Sequence, residues 1–299
     1  MAFHTLENQD LIVKIEDFGA EVTSVQCKKS GQEYIWEGNP AYWNRHSPIL
    51  FPFVGNQKGK KYSYKGKKYP MAQHGFARDM EYVLVEKEDE KAVFRLESSS
   101  VTEKNYPFQF VLEVTYILRE KKLDVIWMVK NKGDNTMYFQ IGAHPAFNTQ
   151  AVMEEEESNY FIAFDGVKEL KVRTIDMNTG LAKNETIGMP MNEVIEDKGY
   201  LRITESLFKN DALVIEDKQC TFVQLCKPDK TPYVTVSFDT PLFGVWSPAK
   251  KAVPFVCIEP WYGRCDKVDF RGDLEEKEYL NVLEANNIFN ACYSIYFGC

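Results

Sequence analysis

The chain has 299 residues, enough for one large domain or two ordinary ones. Apolar residues make up 44% and charged residues 27%, the balance of a globular protein that buries a core, and aromatics reach 14%, which favours pleated strands. The net charge of −8 lacks the basic excess of a nucleic-acid binder and offers an anionic membrane surface no attraction, so neither nucleic acid nor membrane is expected as a partner.

The opening MAFHTLENQDLIVKIEDF has no basic stretch followed by an apolar run and does not read as a secretory signal. No apolar window of about 18 residues suggests a spanning helix, and a cytoplasmic location is the expectation. His4 stands near the terminus with no pattern around it. His46, in WNRHSPILF, has polar neighbours ahead of an apolar run and reads as structural. Trp43 is close enough to Arg45 to share the rim of a cleft.

The segment YSYKGKKYPM (62–71) reads as a hairpin with its tip around Lys65–Lys68. His74 follows in AQHGFARD. Gly75 permits a sharp turn or a close backbone approach, Phe76 offers a ring and Arg78 a planar cation. Polyol recognition and a hairpin end that ties His74 to the backbone both remain open. Next, Phe110, Leu112, Val114, Tyr116 and Leu118 alternate with the other face, and Leu123, Val125, Trp127 and Val129 repeat the pattern. With Arg119–Lys122 as the turn, they predict a long antiparallel hairpin.

In FQIGAHPAFN, five mostly apolar residues precede His144, and Pro145 cannot continue a central ladder. A strand end facing a pocket and a satisfied core histidine are both open there. The EEEE run at 154–157 reads as a solvated loop, and a helix over 182–197 would be interrupted by Pro190. Asp211, in LFKNDALVIED, precedes an apolar strand, a common place for Asp. Glu259, in VPFVCIEPWYG, is the most informative acid because the residues before it should be buried. A lone buried carboxylate is costly and has a raised pKa, which suits a general base near neutral pH. A structural ion pair with Arg264 is the alternative. DLEEKEYLNVL (273–283) reads as a short helix capped by Asp273, and Phe289, Ala291, Tyr293, Ile295 and Phe297 alternate as a last strand.

Seven cysteines without a C-x-x-C pair read as buried free thiols in a reducing compartment. His74, His144 and Glu259 also have the types of a metal triad, which their spacing neither supports nor excludes. No linker divides the chain, so residues 1–299 are expected to form one domain. A dozen or more short strands exceed one flat sheet and predict two packed sheets.

The pieces PILFPFVG (48–55), YSYKGKKYPM (62–71), QHGFARD (73–79), IGAHPAFN (141–148), the Asp211 strand, TPLFGVWSP (240–248) and CIEPWYGRCD (257–266) occur in this order. Together they resemble the aldose 1-epimerase (galactose mutarotase) superfamily, closest to its LacX-like branch. The resemblance implies an all-β, galactose mutarotase-like supersandwich of large antiparallel sheets with few short helices and a sugar cleft on a concave face. It implies interconversion of the α and β anomers of an aldohexose such as galactose or glucose, with no cofactor and no metal. By motif match, Glu259 is the base for the C1 hydroxyl and His144 the acid for the ring oxygen. His74 binds near the ring oxygen and Asp211 binds sugar hydroxyls. Gln73, Arg78, Arg45 and Trp246 join them as substrate contacts, and Phe76, Phe147, Trp246 and Trp261 are the candidate rings for stacking on the sugar.

Two departures bear on the substrate. Galactose mutarotases proper carry an Asn-Arg-Ile element where this chain reads FPFVGNQ. The HGFAR form also resembles hexose-6-phosphate mutarotases, in which Arg78 and, within about one position, Arg45 match phosphate-binding arginines. A hexose phosphate is therefore the alternative small-molecule substrate, and a non-catalytic sugar-binding module the alternative on the same fold.

Overall fold

The structure, a computed structural model, describes residues 2–149, 157–248 and 253–299. The alternation at 110–129 forms the hairpin it predicts. Strands Phe110–Arg119 and Lys122–Asn131 pair antiparallel with Arg119 opposite Lys122, leaving two residues for the turn. Phe110, Leu112, Val114, Tyr116, Leu118, Leu123, Val125, Trp127 and Val129 are all buried, since side chains two apart share one face of a strand. The last strand, Ile288–Phe297, docks beside this hairpin with Tyr293 opposite Val125. These three strands are the middle of a ten-stranded antiparallel sheet.

An eight-stranded antiparallel sheet covers the apolar face of the first. Its centre runs through Leu213–Glu216, Leu242–Trp246, Phe255–Tyr262 and Ile141–Ala143, with Ile49–Leu50 at one edge. Aromatic rings bridge the sheets: Phe243 meets Phe238 and Phe51 meets Phe110, each at 5.0 Å between centroids. Ile215, Phe243, Val245, Val256 and Ile258 face this core, which leaves the alternate residues of the same strands on the opposite face. Of those alternate residues, Val214, Trp246, Glu259 and Trp261 line the cleft described below.

Other expectations meet mixed outcomes. The hairpin at 62–71 forms, with Lys65 and Gly66 as its tip. The segment over 182–197 is strand, not helix: Leu181–Pro190 followed by Glu193–Ile195, with Pro190 ending the first. Asp273 does cap a helical turn, with Glu276 completing a reciprocal box, but the turn is a single 3-10 turn, Leu274–Glu276. Leu274 is its one buried residue, too little face to hold a longer helix, and Lys277 leaves it to pair with buried Asp266. Of the EEEE run, residues 154–156 lie outside the described residues, while Glu157 begins the strand Glu157–Asp165.

The expectation of seven free thiols fails for one pair. Cys27, ending the strand Val22–Cys27, and Cys299, just after the last strand, form a disulfide at a Cα separation of 5.6 Å. Sequence spacing gave no hint of it, because 272 residues separate the two and only the fold brings the termini together. Cys220, Cys226, Cys257 and Cys265 are buried and free, and Cys292 is exposed. Among the described residues, no helix is long and apolar enough to cross a membrane.

Candidate active site

A cleft of about 1330 Å³ opens on the outer face of the eight-stranded sheet, lined by His74, His144, Arg45, Arg78, Asp211 and Glu259. The residues singled out in sequence are therefore brought together, although up to 214 positions separate them.

Glu259 sits mid-strand in Phe255–Tyr262, opposite Gly244 of the neighbouring strand. On its other side the ladder is interrupted. Gly142 pairs with Trp261 and Ala146 with Cys257, and between them the chain leaves the strand at His144 and Pro145. This gap, made by the proline, is what turns the His144 ring toward Glu259. His144 Nε2 lies 3.1 Å from Glu259 Oε2. Glu259 is 1% exposed, and neither of its oxygens completes a hydrogen bond among the described residues. The Trp261 indole lies beside it, close enough to hold its pKa down somewhat but not aligned into a bond. Burial, and next the negative charge of Asp211, push the Glu259 carboxyl well above the ordinary carboxylate range. The expected ion pair with Arg264 is absent. That guanidinium is held by Glu216 at 2.6 Å and by Glu278, and Glu216 also binds Arg173 at 2.7 Å.

His144 is sandwiched by rings. Trp43 stacks on it at 4.8 Å and Trp246 meets it edge-on at 5.5 Å. Burial, and then Arg78, lower its pKa to about 3, so the imidazole is neutral. Its Nδ1 has no partner among the described residues.

His74 is fixed from behind. The Gly55 N–H donates to His74 Nδ1 at 3.1 Å, and the His74 N–H donates to the Gly55 carbonyl at 3.0 Å. Burial, Arg78, His144 and Arg45 all lower its pKa well below 6.5, so the ring is neutral. With Nδ1 accepting, the proton of the neutral ring is on Nε2, which makes His74 a hydrogen-bond donor. The turn that delivers it has φ of +65° at His74 and +74° at Gly75. A Cβ on Gly75 would stand 2.2 Å from the Phe51 carbonyl oxygen, so only glycine fits there.

Arg45 and Arg78 both reach the cleft and share one acid. Arg45 binds Asp79 at 2.7 Å, and Arg78 lies 3.9 Å from it while donating to the Gln73 carbonyl at 2.8 Å. Burial, and then Arg45, lower the Arg78 guanidinium to about 10, and its buried Nε, the atom nearest Asp79, makes no hydrogen bond among the described residues. Asp211 lines the cleft and accepts from the Ala212 N–H at 2.7 Å.

Some candidates separate from the site. His4 pairs with Asp17 at 2.7 Å, and His46 Nδ1 bonds the Trp36 carbonyl at 2.7 Å, so both are structural. Phe76 packs on Phe51 and Phe110, and Phe147 is fully buried, so neither offers a face to the cleft. Gln73 lines the cleft with its side chain exposed. One feature escaped the sequence reading. Gln57 is buried at the cleft wall with both amide atoms lacking a hydrogen-bond partner among the described residues, in the FPFVGNQ stretch that was noted only for its lack of arginine. Trp261, one of the candidate stacking rings, does line the cleft and lies across Gly244, where a Cβ would come within 2.5 Å of the indole. The metal-triad alternative is also altered: the ligand-type atoms that cluster are those of His144, Cys257 and Glu259, not His74.

The geometry was compared with known proteins. A family model described as aldose 1-epimerase matches residues 3–289. The plasmid-encoded LacX protein of Lactococcus lactis subsp. lactis is 31% identical over 279 residues, covering 91% of each chain. Among solved structures, a galactose mutarotase related enzyme from Lactobacillus acidophilus superposes with a TM-score of 0.91 at 35% identity, covering 100% of this chain and 98% of that one. A galactose mutarotase-like protein from Lactobacillus casei ATCC 334 gives 0.89 at 28% identity, covering 99% of both.

Proposed function

The chain belongs to the aldose 1-epimerase family, and from that premise we propose that it interconverts the α and β anomers of an aldohexose such as galactose or glucose, with Glu259 and His144 as the acid/base pair. The observation that carries this reading is the 3.1 Å contact between His144 Nε2 and Glu259 Oε2, in the lining of the cleft, with no competing hydrogen-bond partner on those carboxylate oxygens among the described residues.

The pair shares one mobile proton. Burial favours the uncharged arrangement of the pair, a protonated Glu259 and a neutral His144. Transfer of that proton across the existing contact gives carboxylate and imidazolium. Glu259 then takes the C1 hydroxyl proton while His144 gives its proton to the ring oxygen. The C1–O5 bond breaks, the aldehyde forms and rotates about C1–C2, and closure on the other face reverses both transfers. The pair ends ring opening uncharged again. Desolvation raises the basicity of Glu259 and the acidity of His144, so it drives both transfers in the opening direction. His74 donates from Nε2 toward the ring oxygen, where negative charge develops. Asp211 and the Gln57 amide accept and donate to ring hydroxyls, and Trp43, Trp246 and Trp261 supply flat apolar faces. No bond is gained or lost overall.

The test is exchange between the anomeric proton signals of equilibrated galactose and glucose, read by NMR saturation transfer. Added protein should speed the exchange. Binding of the sugar without faster exchange would leave a non-catalytic binding module.

The pH dependence follows from the same shifts. A second proton on the pair stops it, and lowered acceptance by His144 keeps that proton off until far below the ordinary imidazole value. kcat/KM for the free sugar should therefore run level through pH about 6.5, the value of a free imidazole. A fall centred there would contradict a neutral, buried His144. Stability, unlike the rate, changes in this range: His74 and His144, kept neutral by the fold, bind protons on unfolding, so stability drops as pH falls from about 6.5.

Arg78 supports a second reading, a hexose 6-phosphate as substrate. Its buried Nε, without a hydrogen bond among the described residues, suits an anion beside Arg45, although both arginines already share Asp79. Under that reading Arg78→Ala lowers kcat/KM for glucose 6-phosphate about 10- to 100-fold more than for glucose, the worth of a hydrogen bond to a charged group. Equal losses on the two substrates favour the free sugar.

A further inference from the structure

Cys257 has no part in the proton transfers, yet it stands two residues before Glu259 on the same face of one strand. One ligand-type atom from each of His144, Cys257 and Glu259 lies within 4.8 Å of the other two, and all three residues are buried. Within this trio, His144 Nδ1 and both Glu259 oxygens lack a hydrogen-bond partner among the described residues. Buried polar atoms without partners are uncommon and point to a missing one. Imidazole, thiolate and carboxylate are the donor set of a borderline-soft cation, and three protein ligands with an open fourth position match an open zinc site. Zinc bonds of about 2.0–2.3 Å hold such donors somewhat closer together than 4.8 Å, so binding draws the three atoms inward.

We propose that His144, Cys257 and Glu259 bind a thiophilic divalent cation of the zinc class, entering from the cleft, and that its binding inhibits the enzyme by occupying the proton-transfer pair. The Cys257 S–H bond breaks as the sulfur–metal bond forms, and the proton leaves to solvent; a proton on Glu259 leaves the same way. No electron is transferred. Hard cations such as Mg²⁺ and Ca²⁺ prefer oxygen-rich sites and have no comparable place here. The inhibitory half rests on the epimerase reading, while the binding half does not.

The test uses the full chain carrying Cys292→Ser, which removes the exposed thiol, in metal-free buffer without reductant so that the Cys27–Cys299 bridge stays closed. Cd²⁺ is titrated while the ultraviolet absorption of the cadmium–thiolate bond is followed, and mutarotation is measured with added Zn²⁺. The expected result is a stoichiometric absorption band, with zinc inhibition that EDTA reverses and Mg²⁺ does not reproduce. Cys257→Ala in the same background should keep its metal-free rate, lose the band and require at least about tenfold more Zn²⁺ for equal inhibition. Cys257→Ser, closer in volume, serves if the alanine variant folds poorly. No band, or a band undiminished in both variants, overturns the site. A band that depends on Cys257 without any zinc effect on an active enzyme overturns the inhibition. A chain with no mutarotation in metal-free buffer sinks the epimerase reading alone, and the Cd²⁺ band still decides the site.

Discussion

Glu259→Gln is expected to lower the rate of anomer interconversion by about a hundred- to ten-thousand-fold, the usual worth of a general base, while the protein stays folded. Gln keeps the shape of the side chain but cannot accept the C1 hydroxyl proton. The fold should not register the change, because neither carboxylate oxygen makes a hydrogen bond among the described residues. The site also favours an uncharged group there, since burial raises the carboxyl. That gives a signed expectation. A raised carboxyl stabilises the fold below its unfolded value and less as pH rises, and Gln removes this dependence. The melting temperature of the variant should match or exceed that of the parent above neutral pH. A large fall would mean that Glu259 is a structural residue with an undetected partner.

His144→Asn is expected to cost a similar factor in rate, for the complementary reason that the ring oxygen loses its proton donor. Here the fold should notice slightly. The imidazole stacks on Trp43, and an aromatic pair of this kind contributes about 0.5–1.5 kcal/mol. The two substitutions should not multiply. A pair sharing one proton fails as a unit, so the double variant should be about as slow as either single one. Multiplicative losses, measured by the same rotation assay, would mean that the two residues act in separate steps.

Much of the fold was legible because it depends on local alternation. The 110–129 hairpin, its turn and the strand 288–297 follow from side-chain period alone. Glu259 was legible because a charge directly after an apolar run has to be accommodated. What the sequence hides is which strands become neighbours. Glu259 was expected to face either the cleft or Arg264; Arg264 turned out to be taken by Glu216, 48 positions earlier, and by Glu278. Trp43 lies over His144, 101 positions later, a neighbour that only the fold supplies. The same applies to Cys257. Its burial was apparent, but its distance from His144 depends on the gap at Pro145. Phe76 and Phe147 illustrate the converse, rings near catalytic motifs that turn inward to the core. Helical patterning misled at 273–283, where one buried leucine could not sustain a helix.

The account rests on a buried carboxylate that moves a sugar proton. Polarimetry of freshly dissolved α-D-galactose and α-D-glucose, with parent protein and Glu259→Gln at equal concentration, tests it most directly. The account predicts that the parent brings the rotation to its equilibrium value far faster than buffer, and that the variant tracks buffer closely. A variant as fast as the parent would contradict the assignment of the base, and a parent no faster than buffer on either sugar would contradict the activity on free hexoses itself.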